Sequence, residues 1–193
     1  VESKSVKLYL GSLADERHAS REALIATIAR DIGAAVGAEV KVALSGPPDW
    51  PGLARAEAPG ASIDTAPLAA LPDRPDASVL ATSAWEGDET LHSSLFRSLC
   101  PVTAQPDHAT VVIRYRGPRI DRASLLAYLL AYRRHAAFHE GCVERIFVDL
   151  AAACRTRSLA VEARFTRRGG IDISPYRSDE PDWRPQAAPD LRQ

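Results

Sequence analysis

The sequence has no methionine, and only three of its 24 basic residues are lysine: Lys4, Lys7 and Lys41. With no initiator present, Val1 is read as not being the natural start. The three cysteines, Cys100, Cys142 and Cys154, are an odd number and form no CxxC pair. That pattern excludes a disulfide scaffold and a zinc ribbon, and it suits a reducing, cytoplasmic compartment. No apolar run approaches the length of a bilayer span, and the polar opening Val1-Glu2-Ser3-Lys4-Ser5 has no signal-peptide pattern. The formal net charge is −1, so no chain-wide basic field would draw in nucleic acid or an anionic membrane. No GxGxxG opens a helix after a strand, which removes a Rossmann dinucleotide site.

What is present is an ordinary globular composition. The chain has 193 residues, 46% hydrophobic and 25% charged, enough to bury a core in one domain or two small ones. Ser3 to Leu10 reads as a strand end or a short helix. Ser20 caps a helix reaching Val36, with Leu24, Ile25, Ile28, Ile32 and Val36 on one stripe. Strands are expected over Glu39–Leu44, Ser62–Thr65 and Ser78–Trp85, with a proline turn over residues 46–51. In the second half, strands are expected at Ser94–Cys100 and Ala109–Tyr115. A helix capped by Asp121 and a second from Ala137 to Cys154 follow, then strands at Leu159–Phe165 and Ile171–Ser174. From about residue 90 the order is strand, strand, helix, helix, strand, strand. Before it the order is helix, helix, strand, strand. The simplest account is two copies of one unit, the first without its opening hairpin.

Few residues stand out chemically. Cys100 lies at the edge of a proline-punctuated stretch, outside the helical apolar stripes, with Asp107 seven residues on. A cysteine nucleophile needs access and thiolate character, and an acid beyond a Gln-Pro turn can fold back to move a proton. A buried structural thiol is the competing reading. His139-Glu140 opens a helix, where it is either a proton donor beside a carboxylate or an ordinary helix start. Cys142 and Cys154 fall at core spacing. Cys142 has two further readings: a disulfide with Cys100, or a zinc site with Cys100 and His139. Arg167-Arg168-Gly169-Gly170 is a strand-joining turn that also suits an anion.

In combination these segments resemble the QueF-type nitrile reductases. Glu2-Ser3-Lys4-Ser5-Val6-Lys7-Leu8-Tyr9-Leu10 is similar to their signature segment, and Cys100-Pro101-Val102-Thr103-Ala104-Gln105-Pro106-Asp107 to their nucleophile segment. Phe138-His139-Glu140 with Cys142-Val143-Glu144 resembles their substrate segment, and Phe165-Thr166-Arg167-Arg168-Gly169-Gly170 their closing hairpin. The segment order is that of the longer, two-unit branch. His108 stands where relatives commonly carry Trp.

The resemblance implies an α+β fold of tandem tunnelling-fold units, each an antiparallel sheet with paired antiparallel helices. The first unit, residues 1–88, would lack its leading hairpin and carry the Glu-Ser-Lys-Ser motif. The second, residues 89–193, would carry the nucleophile and a polar tail. The implied activity is NADPH-dependent reduction of the nitrile of 7-cyano-7-deazaguanine to an aminomethyl group, in queuosine biosynthesis for tRNA modification. Cys100 would form a thioimide, Asp107 would protonate nitrogen and His139 would serve later proton steps. Val1, Glu2, Ser3, His139 and Glu140 would contact substrate. Ser3, Lys4, Arg168 and Gly169 would hold NADPH, with no metal. A homo-oligomer, with a dimer favoured, is expected. The rival readings are a zinc-dependent GTP cyclohydrolase of the same fold and a non-catalytic purine- or pterin-binding module.

Overall fold

The computed structural model describes residues 3–46, 55–68, 70–185 and 188–193. The chain divides into two compact units, one of residues 1–54 with 169–171 and one of residues 55–168 with 172–193. The boundary expected at residue 88 falls inside a strand of the second unit, because the chain before it already belongs to that sheet.

The first unit holds two helices, α1 (Ser3–Ala14) and α2 (Arg21–Val36). The ambiguous segment at the start is therefore helical. Ser20 caps α2 by accepting the Ala23 N–H at 3.1 Å, and Gly37, at φ 66, ends it in the left-handed conformation that glycine adopts without strain. Ile28 is the buried residue of the α2 stripe. Tyr9 on α1 donates to Asp31 on α2 at 2.8 Å. The strand expected at Glu39–Leu44 is absent. Among the described residues it has no neighbouring strand to complete a ladder, and alternation without a partner does not by itself make a strand. Most of the proline turn lies outside the described residues.

The second unit is a five-stranded sheet in the order β1-β2-β3-β4-β5. β1 is only Ala61–Ser62, parallel to β2, and Ile63 just beyond it anchors the segment in the core at 1% exposure. β2 (Thr82–Leu99) joins two expected strands into one of 18 residues. It pairs antiparallel with β3 (Pro106–Ile120), with register shifts at Thr82/Glu86 and Ser93/Phe96 that let a long strand bend. Asp121 caps α3 (Arg122–Leu130), accepting the Ser124 N–H at 2.8 Å. A 3-10 turn leads on to α4 (His139–Cys154). β4 (Ser158–Phe165) pairs antiparallel with β3 and with β5 (Tyr176–Ser178). The last strand thus forms after Pro175, not at Ile171–Ser174.

Strand alternation sends Leu91, Phe96, Val111, Ile113, Tyr115, Leu159, Val161 and Phe165 into one core with Leu125, Leu129, Ile146 and Leu150 of the helices. The opposite face of β4 is also buried. Glu162 and Arg164 form a bidentate ion pair there at 2.9 and 3.2 Å, with both side chains at most 4% exposed. The C-terminal residues return to this sheet, where Gln193 donates to the Phe165 carbonyl and Arg192 to that of Ser94. All three cysteines are free thiols. Cys142 and Cys154 are core residues, each pushed up to about 11 by burial. No helix among the described residues is long and apolar enough to cross a membrane.

Candidate active site

The candidate site lies at the loop end of the β2–β3 hairpin, in the second unit. Leu99 and Pro106 are the last paired residues, and residues 100–105 form the loop between them. The Cys100 N–H donates to the Gln105 carbonyl at 2.9 Å, and the Ala104 N–H donates back to the Cys100 carbonyl at 2.9 Å. Ala104 sits at φ 55, an uncommon conformation for a residue with a Cβ, so the loop closes at some cost in backbone strain.

The loop wraps the Cys100 thiol. The Thr103 hydroxyl does most to hold this thiol below its ordinary value; burial opposes it, and the Thr103 and Val102 N–H groups and the Arg168 guanidinium act in the same direction as the hydroxyl. The sulfur is only partly buried, so it combines stabilised charge with access, as a nucleophile requires.

Asp107, one residue into β3, is 3% exposed. One carboxylate oxygen accepts from Arg168 Nη1 at 2.5 Å, and the other lies 3.4 Å from His139 Nε2. The second is a close approach outside hydrogen-bonding geometry, and Nε2 is buried without an aligned partner. His139 is the first residue of α4, stacked against Phe165 with ring centroids 3.9 Å apart. Burial holds His139 below its ordinary value, with Asp107 and Glu140 pulling the other way, so the ring is neutral near pH 7. Glu140 follows it, exposed, in the first turn of α4. Arg168 also donates to the Gln105 side chain, at 2.7 Å.

The second unit therefore gathers Cys100, Asp107, His139 and Arg168, with Glu140 beside His139. Val1 and Glu2 lie outside the described residues. Ser3 and Lys4 start α1, and their side chains are outside the description. Cys142 does not join as a metal ligand. It points into the core next to Ser98, and among the described residues no three His, Cys, Asp or Glu side chains converge on a metal position. Two participants were not singled out from the sequence. Thr103 and Gln105 sit inside the quoted nucleophile segment, and a hydroxyl three residues after a cysteine in a turn was the available signal for Thr103.

Comparison with known proteins identifies the family. Residues 106–182 match the family model described as QueF-like protein, and residues 1–44 match that of the nitrile reductase, 7-cyano-7-deazaguanine-reductase N-term. The NADPH-dependent 7-cyano-7-deazaguanine reductase of Burkholderia vietnamiensis is 48% identical over 195 residues, covering 100% of this chain and 71% of that protein. The enzyme of the same name from Paraburkholderia xenovorans is 50% identical over 181 residues, covering 93% and 66%. The archaeosine synthase QueF-Like in its apo form aligns over 52% of this chain and 92% of its own, at 15% identity and a TM-score of 0.42. An identity near one half that runs the whole length of the chain and takes in both matched segments leaves one assignment: the chain belongs to the QueF nitrile reductase family.

Proposed function

We propose that this protein reduces the nitrile of 7-cyano-7-deazaguanine to an aminomethyl group at the expense of NADPH. The observation that carries this reading is the accessible Cys100 thiol, held low by its loop, with Arg168 joining it to the buried Asp107 that His139 faces at 3.4 Å. A nitrile carbon is a soft electrophile, to which a thiolate adds without a strong base in the site. Cys100 attacks it and forms a thioimide. Asp107 carries the proton to nitrogen, and His139, neutral and at contact distance from Asp107, serves the later proton transfers. On the family pattern Glu140 and Glu2 accept from the amino and ring N–H groups of the guanine-like face, and Val1 and Ser3 are further substrate contacts. A base lacking those donors would leave carboxylates unpaired, which is a strong basis for discrimination.

NADPH, when bound, supplies hydride for the two reductions that separate nitrile from amine. Ser3, Lys4, Arg168 and Gly169 are its holders on the family pattern. The turn supports that reading. Gly169, at φ 59, holds a conformation that side chains rarely adopt, and its bare backbone lies against the Lys7 ammonium group, which a Cβ there would displace. Bare backbone beside a cation is a donor set suited to phosphate.

One tunnelling-fold unit is supported by the order β2-β3-α3-α4-β4-β5, and the tandem organisation rests on the family pattern alone. A homodimer, a free-base substrate with no nucleic-acid partner, a cytoplasmic location and a place in queuosine biosynthesis complete the reading. The test is incubation of the protein with 7-cyano-7-deazaguanine without NADPH, followed by mass spectrometry. One adduct on Cys100 is expected, then two NADPH consumed per nitrile once cofactor is added. An adduct on Cys142 or Cys154, or none, overturns the mechanism.

A further inference from the structure

The family pattern gives Arg168 to the cofactor, yet its guanidinium is already engaged in the site. Nη1 donates to Asp107 at 2.5 Å and Nη2 to Gln105 at 2.7 Å. Gln105 belongs to the loop whose carbonyl fixes the Cys100 backbone N–H at 2.9 Å. One planar side chain therefore ties the nucleophile loop to the proton carrier. Asp107 is almost fully buried, whereas Arg168 is 39% exposed, so the guanidinium forms a partly open wall on the acid. A two-point clamp of this kind fixes geometry as well as charge, because both donors lie in the guanidinium plane.

We propose that Arg168 is a positioning residue of the addition step, holding the Cys100 loop and the Asp107 carboxylate in register before any cofactor is present. This rests on the reading of the protein as a nitrile reductase. In the addition, the Cys100 S–H bond breaks and an S–C bond forms, while the C≡N triple bond becomes C=N. The thiol proton passes to the nitrile nitrogen by way of Asp107. No electrons enter or leave, so the step needs no reductant. Arg168 touches neither the nitrile carbon nor the nitrogen. It acts by keeping the sulfur and the carboxylate on either side of one short proton path, and the sulfur also feels its charge.

The test compares wild type with Arg168→Gln, Arg168→Lys and Gln105→Ala. Two quantities are read without NADPH: the pH dependence of Cys100 alkylation by iodoacetamide, and the rate of adduct formation with 7-cyano-7-deazaguanine. Arg168→Gln should move the alkylation midpoint to higher pH. It should slow adduct formation by about tenfold, the equivalent of one unit of thiol pKa. Arg168→Lys should recover part of both through charge, and Gln105→Ala, which removes only the second anchor, should slow the adduct less. If Arg168→Gln matches wild type in both measurements while its NADPH KM rises, Arg168 is a cofactor residue alone and the proposal is overturned. The same holds if a folded Gln105→Ala and Arg168→Lys both match wild type. A wild-type protein that gains no adduct instead overturns the reaction assignment, and with it the premise of the clamp.

Discussion

Cys100 and Asp107 were legible as a pair because both lie in one short stretch, and their spacing alone allows the chain to fold back. The place of His139 was not, since spacing says nothing of a contact made across the fold between β3 and α4. The resemblance supplied what spacing could not. On the proposed mechanism Asp107 works on a proton and not on the bound base, so Asp107→Asn should lower turnover by about two to four orders of magnitude and leave base affinity nearly unchanged. Steady-state kinetics beside equilibrium binding separate the two; near-native turnover would make Asp107 a turn residue. Protonation also bears on stability. Burial is the first cause holding His139, His108 and His135 below 6.5, so at mildly acid pH the unfolded chain binds more protons than the folded one. The resulting stability is fully present above pH 6.5 and lost as pH falls through the folded values. Thermal melts from about pH 8 to about pH 5 should show Tm falling in that window, more shallowly in His139→Leu; an unchanged slope would mean that His139 is not a contributor.

At the scale of elements, the second unit is more legible in the sequence than the first. Asp121 and Ser20 were found as caps because a cap is a local signal. Glu39–Leu44 and Ile171–Ser174 failed because alternation states only that a strand is possible; a neighbour must be present to accept its hydrogen bonds. β2 was read as two short strands, since its middle, Glu86-Gly87-Asp88-Glu89, is polar and carries no apolar alternation. The polar face of β4 was invisible for a similar reason. Glu162 and Arg164 alternate with core residues as solvent-facing charges do, and only the folded structure buries them. Their burial makes Arg164→Ala costly, about 3–5 kcal/mol, because it strands a carboxylate in the interior. Paired replacement as Glu162→Leu with Arg164→Met should recover most of that. Denaturant unfolding of both single variants and the double variant measures it; additive losses would show that the pair is not coupled.

For the whole molecule, absence was the informative signal. A near-zero net charge and no dinucleotide fingerprint left room for a small-molecule enzyme that binds its cofactor without a Rossmann fold. The cations assigned to the cofactor, Lys4 and Arg168, imply a preference for the phosphorylated nicotinamide. NADPH should therefore support faster turnover than NADH, and Lys4→Ala should raise the NADPH requirement more than the substrate requirement. Equal rates with both cofactors would contradict that assignment.

The β2–β3 hairpin has a consequence for how the site comes into being. Cys100 and Asp107 are brought together by closing one local loop, an early and fast event in folding. Arg168 is 61 residues from Asp107 and can reach it only after α3, α4 and β4 have docked. A half-folded chain therefore carries the cysteine with its Thr103 partner but without Arg168. The last contribution to its reactivity is added only when the final strands arrive, so the finished site is the most reactive form of the chain. Pulsed alkylation during refolding should find Cys100 reaching its full reactivity no earlier than β4 gains amide protection, and full reactivity in the first hairpin-only phase would refute that order.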